Sequence, residues 1–278
     1  MPTQILLVEC DDRPGLVHRI TGVLFERGCN VLVNSEFVDR EAARFFMRTE
    51  YAGEASPRAV EASLRAVLPP EALLRFSEPR PRRIAVLCTR EWHCLGDLLL
   101  RHAFGDLGAE IAVVLGNHPD LASLVERFEV PFLHVPDGGL SREAHEEAVG
   151  KALEPHRPEF LVLAKYMRVL TPGFLRIYPD RIVNIHHSFL PAFTGAHPYR
   201  QAFSRGVKII GATAHLVTEI LDEGPILAQD TIPVDHTWDA AAMARAGRDV
   251  ERTVLARGLR LVFEDRVFLC GRRTVLFD

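Results

Sequence analysis

The sequence predicts an α/β fold of two domains, a ferredoxin-like βαββαβ domain followed by a Rossmann-like domain with a mostly parallel sheet. Residues 4–77 contain apolar runs in the order strand, helix, strand, strand, helix, strand. Residues 78–83 hold two prolines and three arginines, which cannot continue a helix or a central strand. Beyond them, short β-branched runs alternate with helical segments, as in a parallel sheet with right-handed crossovers. We therefore expect a first domain at 1–79, a linker at 80–83 and a second domain at 84–278.

Periodicity justifies each element of the first domain. Leu16, Ile20, Val23 and Leu24 recur at helical spacing, and Gly28 ends that helix. A second helix begins at Ser56-Pro57, because proline is favoured at the first helical position. The predicted strands cover residues 4–9, 30–38, 42–51 and 73–77.

The second domain begins with the parallel pattern and then changes character. Its predicted parallel strands cover residues 84–88, 111–115, 132–135, 160–164 and 182–185. Two further strands, 212–217 and 226–234, have no clear helix between them. A long helix is expected at 238–264 with Thr237 as its N-cap, and a closing hairpin at 267–276.

Composition excludes several classes of function. With 47% hydrophobic and 25% charged residues, the chain has the balance of a soluble globular protein. The formal net charge of −4 argues against a nucleic-acid partner. No apolar run approaches the length of a membrane span, and the N-terminus lacks the pattern of a signal peptide, so no membrane association is expected. Five cysteines without a CxxC pair suggest reduced thiols and a cytoplasmic location.

The segment from Asn184 to Phe193 is the most informative part of the chain. Asn184 and His186 follow the apolar run 181–183, and strand alternation directs both side chains to one face. An amide donor beside a titratable imidazole suits a carbonyl that must accept negative charge and exchange protons. The residues therefore indicate acyl-group chemistry on a small molecule.

Four segments, 184–186, 191–198, 211–217 and 218–225, together resemble the formyltransferase family that uses 10-formyltetrahydrofolate. The family's catalytic asparagine, histidine and aspartate fall on Asn184, His186 and Asp222. Segment 163–170 resembles the loop that lines the pterin pocket of the family. The implied folate-binding residues are Met167, Arg168, Val169, Leu170, Gly195, His215, Thr218, Glu219, Ile220 and Leu221.

The resemblance implies a role for each catalytic residue. Asn184 and a protonated His186 would stabilise the oxyanion of a tetrahedral intermediate, where losing one donor costs ~3 kcal/mol. Asp222 would hold a water or accept its proton and control the charge of His186, and His215 would support Asp222. Which of His186 and Asp222 takes the proton stays open, because coupled groups share their titration. His187 is interpreted as either structural or supporting.

No metal site and no cofactor are expected. The sequence contains no HExxH motif and no Cys/His cluster with metal-ligand spacing. Folate is the substrate that the resemblance implies, so the expected partners of the catalytic domain are 10-formyltetrahydrofolate and a nucleophile.

The residues after the first strand of the second domain bear on the identity of that nucleophile. Phosphate-binding loops present backbone N–H groups from glycine-rich turns. Here segment 88–97 has no glycine before Gly96, and Glu91 and Trp92 occupy the turn. This departure favours water, with Glu91 and His93 shaping the vacated acceptor side. Transfer to an amine such as glycinamide ribonucleotide remains the alternative.

The first domain resembles an ACT domain at segments 11–16 and 28–31. ACT domains often bind small amino acids at the β1–α1 loop, commonly across a dimer interface. The implied effector residues are Asp12, Arg13, Gly15, Leu16 and Asn30. The alternative is a domain that serves assembly alone, and a homo-oligomer is expected in either case.

The presence of both domains in one chain points to one group of proteins within the formyltransferase family. An ACT domain ahead of this catalytic domain is similar to the formyltetrahydrofolate deformylases. That likeness implies hydrolysis to tetrahydrofolate and formate, which supplies formate for purine biosynthesis and balances one-carbon folate pools. A non-catalytic amino-acid sensor is the rival from another class, and the intact Asn184, His186 and Asp222 argue against it.

Overall fold

Two α/β units make up the chain in the computed structural model, which describes residues 1–192 and 198–278. The first unit contains Met1–Arg80, Glu264–Cys270 and Val275–Asp278. The second contains Pro81–Phe263 and Gly271–Thr274. The two predicted fold classes are confirmed, while the domain boundaries differ at the C-terminus and at the linker.

The first unit is built on a four-stranded antiparallel sheet in the order β2-β3-β1-β4. This order is that of a ferredoxin-like βαββαβ unit. Its strands are β1 (Thr3–Asp11), β2 (Asn30–Asp39), β3 (Arg44–Ala52) and β4 (Leu73–Ser77). Two helices, α1 (Leu16–Glu26) and α2 (Pro57–Val67), bury their apolar stripes in one core with residues of β1 and β3. The side chain of Ser56 caps α2 by accepting from the backbone of Ala59.

The C-terminal hairpin departs from the predicted boundary. Ile5, Leu7 and Phe46 point to the sheet face opposite the helices, and they need apolar cover. Phe268 provides it, with its ring 5.5 Å from that of Phe46 in an edge-to-face contact. The hairpin strands are β12 (Val267–Cys270) and β13 (Arg273–Leu276). Most of the segment expected in the catalytic domain therefore belongs to the first unit.

A seven-stranded sheet in the order β11-β10-β9-β8-β5-β6-β7 forms the second unit. Its strands are β5 (Arg82–Cys88), β6 (Ala109–Gly116), β7 (Phe132–His134), β8 (Phe160–Ala164), β9 (Ile182–His186), β10 (Ile209–Leu216) and β11 (Ile226–Pro233). Strands β5 to β9 are mutually parallel, whereas β10 and β11 run antiparallel. The strand order reverses between β5 and β8, and ligands of such sheets bind outside the carboxyl ends of the strands at that point.

Within the described residues, six α-helices connect and cover these strands. They are α3 (His93–Ala103), α4 (Ala122–Glu126), α5 (Arg142–Leu153), α6 (Pro172–Leu175), α7 (Pro198–Arg205) and α8 (Ala240–Phe263). None of the helices in the described part of the chain has the length and apolar character of a membrane span. All five cysteines are free thiols, as the sequence predicted.

Two local expectations are corrected. The N-cap of α8 is Asp239 rather than Thr237, because Asp239 Oδ1 accepts from the backbone of Ala242 at 2.6 Å. Thr237 instead donates its hydroxyl to Asp235 at 2.6 Å. The linker is shorter than 80–83, because β5 begins at Arg82, whose backbone N–H donates to Gly108 O at 3.1 Å.

Candidate active site

A cavity of about 240 Å³ lies at the carboxyl ends of β8 and β9. It brings together residues that are far apart in the sequence. The residues predicted for the site that line it are Asn184, His186, Asp222, Met167, Arg168, Val169, Leu170, His215, Thr218, Glu219, Ile220 and Leu221. Gly195, also predicted to bind folate, lies outside the described residues.

Asn184 is oriented by the neighbouring antiparallel strand. The β9–β10 register places Asn184 opposite His215, and Asn184 Nδ2 donates to His215 Nε2 at 3.1 Å. His215 Nδ1 donates to Leu216 O at 2.9 Å, which leaves Nε2 as the acceptor and fixes the tautomer. Burial lowers the pKa of His215, so the ring is neutral. The hydrogen bonds of His215 position Asn184, and the charge of Asp222 acts on the pKa of His215; its expected support of Asp222 stays a prediction.

His186 and Asp222 form a buried ion pair. His186 Nδ1 lies 3.2 Å from Asp222 Oδ1, and their side chains are 6% and 7% exposed. Asp222 adopts a left-handed backbone conformation with φ 58°, which aspartate tolerates better than most residues. Two residues further on, a Cβ at Gly224 would lie 1.7 Å from Leu216 O. Glycine there permits the loop 218–225, here called the acidic loop, to approach β10 closely. Asp222 is thereby brought close to His186.

His187 stacks on His186. The ring centroids lie 5.2 Å apart with 30° between the planes, and the Tyr199 ring lies 6.1 Å beyond. Burial, reinforced by the charge of Lys165, lowers the pKa of His187 to about 3. His187 is therefore neutral at physiological pH and lines the cavity directly.

The loop that follows β8 is anchored at three points. Met167 donates its backbone N–H to Thr89 Oγ1 at 3.0 Å. Arg168 pairs with Asp137, and the Thr171 backbone donates to Glu146 Oε1 at 2.7 Å. The anchored loop leaves apolar side chains exposed towards the cavity, as does the acidic loop. These are Met167, Val169, Ile220 and Leu221. Two apolar walls of this kind suit a flat ring system.

A buried polar cluster lies behind Lys165, another residue that lines the cavity. Glu251 accepts from Tyr199 at 2.6 Å and from His93 Nε2 at 2.8 Å, and it forms an ion pair with Lys165 Nζ at 3.1 Å. Glu91 lies 3.9 Å from Lys165 and 3.6 Å from His93 Nδ1. Glu91 and His93 thus lie next to Lys165, and their role in shaping the acceptor side stays a prediction.

Sequence reasoning missed the roles of Lys165 and Glu251. A signal for Glu251 was present, because it interrupts the apolar stripe of α8 between Val250 and Val254. A buried carboxylate of that kind requires partners. Lys165 directly follows the carboxyl end of a central parallel strand, where functional side chains concentrate.

The buried cluster also contains a geometric candidate for a metal site. Ligand atoms of His93, Cys94 and Glu251 lie within 4.8 Å of one another. However, burial and the charge of Glu251 raise the pKa of Cys94 well above its ordinary value, so the thiol stays protonated. The ammonium of Lys165 already neutralises Glu251 at 3.1 Å. This donor set does not fit a divalent cation.

The residues implied as an effector site lie around the β1–α1 connection of the first unit. Gly15 precedes α1 with φ 85°, a conformation that favours glycine. Arg13 pairs with Glu71 at 3.2 Å. Asp12 and Asn30 are exposed, whereas Leu16 is buried in the core. The side chain of Leu16 therefore serves packing, and its expected role in contacting a ligand stays a prediction.

Comparison with known proteins agrees with this geometry. Residues 82–259 match the formyl transferase family model, and residues 4–69 match the ACT domain model. A formyltetrahydrofolate deformylase of Escherichia coli O6:H1 is 51% identical over 273 residues, 98% of each chain. The crystal structure of a deformylase from Pseudomonas syringae pv. tomato superimposes with TM-score 0.94 at 40% identity, covering 100% of this chain and 95% of the other.

The transferases are similar over a smaller part of the chain. Glycinamide ribonucleotide transformylase 1 from Symbiobacterium toebii has TM-score 0.69 at 33% identity, and the match covers 71% of this chain and 95% of that one. The deformylases, by contrast, match both units. The chain belongs to the formyltetrahydrofolate deformylase family.

Proposed function

We propose that this chain hydrolyses 10-formyltetrahydrofolate to tetrahydrofolate and formate. The observation that carries the proposal is the His186–Asp222 pair beside Asn184, at the wall of a cavity with two apolar loops. Likeness to deformylases over nearly the whole chain supports the same reaction.

Binding places the formyl group against polar residues and the pterin against apolar ones. The exposed side chains of Met167 and Ile220 offer contacts for the ring system. Asn184 gives one amide hydrogen to His215, and its second amide hydrogen is assigned to the formyl oxygen. This geometry directs a donor at the atom that becomes negative, which is where such donors act.

Water attacks the formyl carbon, and the carbonyl oxygen becomes an oxyanion. Asn184 and the imidazolium of His186 stabilise that charge, while Asp222 orients the water. The proton from water enters the His186–Asp222 pair. Collapse of the intermediate breaks the carbon–nitrogen bond, the folate nitrogen takes the proton held by the pair, and the acid product releases its hydroxyl proton to solvent and leaves as formate.

Water rather than an amine is proposed as the nucleophile. The turn after β5 carries Glu91 and the bulky Trp92 in place of a glycine-rich phosphate loop. The carboxylate of Glu91, which lies 3.9 Å from Lys165 Nζ, disfavours a phosphorylated acceptor at that turn.

The test is formate release from 10-formyltetrahydrofolate in the absence of any amine. We expect steady turnover, with no stimulation by added glycinamide ribonucleotide. Turnover that begins only when the amine is present would replace hydrolysis with formyl transfer.

No resident metal or cofactor is proposed for this reaction, because the chemistry is assigned to three side chains. Prolonged dialysis against a chelator is expected to leave the rate of formate release unchanged. The released formate is proposed to feed purine biosynthesis, so loss of the gene should create a purine requirement that formate relieves. A strain that needs purines even with formate would contradict this placement.

The first unit is proposed to bind a small amino acid and to mediate self-association. The left-handed Gly15 before α1 supports a carboxylate contact at the first-turn amides. Strand β2 is a sheet edge with Leu32, Val33 and Phe37 exposed, which supports pairing with a second copy. Calorimetry with a panel of amino acids and light scattering of the purified protein test the two proposals separately.

A further inference from the structure

We propose that Lys165 is a positioning residue for hydrolysis, and that its ammonium, held by Glu251, confines the proton of the stacked His186–His187 pair to His186. The inference deepens the proposed function and rests on it. Neither the sequence motifs nor the roles of the three catalytic residues require a cation at this position.

Lys165 is placed with unusual constraint. It follows the last residue of β8 with φ 61°, a left-handed conformation that is uncommon for residues other than glycine. Such backbone conformations cluster at functional sites. The Lys165 side chain is 3% exposed, yet it lines the same cavity as Asn184, His186 and His187. Asp222, the partner of His186, shares the left-handed conformation.

The partners of Glu251 hold the ammonium of Lys165 in place. Glu251 is 1% exposed; it accepts from His93 and Tyr199 and forms an ion pair with Lys165. Burial opposes its ionisation, but the hydrogen bond from His93 and the charge of Lys165 prevail and lower the pKa of Glu251 to about 2. Within the described residues, His93 Nδ1 has no hydrogen-bond partner. We assign the balancing positive charge to Lys165, whose Nζ lies 3.1 Å from Glu251.

The second imidazole needs this control. Two rings 5.2 Å apart compete for one proton, because two adjacent imidazolium ions repel each other. The charged groups that act on His187 are Lys165 from the end of β8, Glu251 from α8, His186 from β9 and Asp222 from the acidic loop. The Tyr199 ring of α7 packs on its other side. Glu251 and Asp222 favour a proton on His187, whereas burial, Lys165 and His186 oppose it.

The consequence concerns catalysis. A proton on His186 lies beside Asp222 and serves the oxyanion. A protonated His187 would place a positive charge on a ring whose centroid lies 5.2 Å from that of His186. That charge would oppose the protonation of His186. Lys165 thus reinforces the effect of burial in keeping His187 neutral, without being assigned any contact with substrate.

The test compares Lys165→Met, Lys165→Arg and Glu251→Gln by histidine NMR titration and by the pH dependence of kcat. Between about pH 4 and pH 8, His187 of the unchanged protein is expected to stay neutral. In Lys165→Met its titration midpoint is expected to rise by roughly one unit or more, since a nearby positive charge is lost. The acid limb of the kcat profile should move the same way. Lys165→Arg keeps the charge and should retain the original profile.

Glu251→Gln is the control for the direction of the shift in the His187 titration midpoint. It disturbs the same buried contact but removes a negative charge, so the midpoint of His187 should not rise. The double variant Lys165→Met, His187→Asn should lose the shift of the acid limb, because the competing imidazole is gone.

Each of the following results would overturn the proposal: an unchanged His187 midpoint in Lys165→Met, the same upward shift in Glu251→Gln, or a shift of the acid limb that persists in the double variant. If Lys165→Met does not fold, Lys165→Gln takes its place with the same expectations. The NMR titration needs no substrate, so it decides the role of Lys165 even if the protein fails to release formate. Formate release with a normal profile in Lys165→Met would leave hydrolysis standing and remove only this role.

Discussion

Replacing Asp222 with asparagine removes one charge from the site and little else. The side chains are nearly equal in size, and asparagine, like aspartate, tolerates the left-handed conformation found at this position. Substitution by alanine would add backbone strain to the loss of the carboxylate, so asparagine is the cleaner change.

The magnitude follows from the geometry. Asp222 Oδ1 lies 3.2 Å from His186 Nδ1, and the Asp222 side chain is 7% exposed. At an effective dielectric constant of about 20, unit charges at that separation attract by about 5 kcal/mol before desolvation. Desolvation offsets a large part of that energy. Loss of a positioned base alone costs about 10² to 10⁴ in rate. We therefore expect kcat to fall by at least about a hundredfold, with a small change in thermal stability.

The assay measures formate release under saturating 10-formyltetrahydrofolate, with circular dichroism melting as the check on folding. Asp235→Asn is the matched control, since Asp235 is exposed and does not line the cavity. We expect it to retain the original rate. A well-folded Asp222→Asn variant with near-normal kcat would refute the assigned mechanism.

Three further changes probe other parts of the site. Asn184→Ala removes an oxyanion donor and should lower kcat by about a hundredfold, equivalent to ~3 kcal/mol, with KM little altered; a change in KM alone would contradict that role. Glu146→Gln weakens the anchor of Thr171 and should raise KM for the folate by about fivefold, so an unchanged KM would show that the loop is held elsewhere. Gly247→Ala would place a Cβ 2.0 Å from the Tyr199 hydroxyl and should destabilise the protein by about 1–3 kcal/mol in chemical denaturation. Gly150→Ala in α5, where a Cβ meets nothing within 4 Å, is its control and should be neutral or stabilising.

Local sequence patterns predicted most of the second unit's strands because the central ones are short, largely buried apolar runs. Strand β8 has the predicted bounds, and Asn184 and His186 share one face because strand alternation is a local rule. Which strands pair with each other, and in which register, could not be predicted from local sequence patterns. The pairing of Asn184 with His215 depends on the β9–β10 register, which only the folded sheet reveals.

The incorrect predictions concern features that depend on contacts between distant residues, or positions where two neighbouring residues could fill the same role. Thr237 and Asp239 are both competent N-caps two residues apart, and the hydrogen bond to Ala242 decides between them. The hairpin containing Phe268 follows α8 in sequence, but its apolar face covers the sheet of the first unit. Glu251 in an apolar stripe predicts a buried partner without identifying Lys165, which lies on another element.

The central claim is that water attacks the formyl group at the Asn184, His186 and Asp222 site. Hydrolysis in ¹⁸O-labelled water, without any amine, tests it most directly by mass analysis of the formate. The account predicts formate that carries one solvent oxygen and one original formyl oxygen, at a rate that Asp222→Asn suppresses. Release of unlabelled formate, or no release until an amine is added, would contradict it.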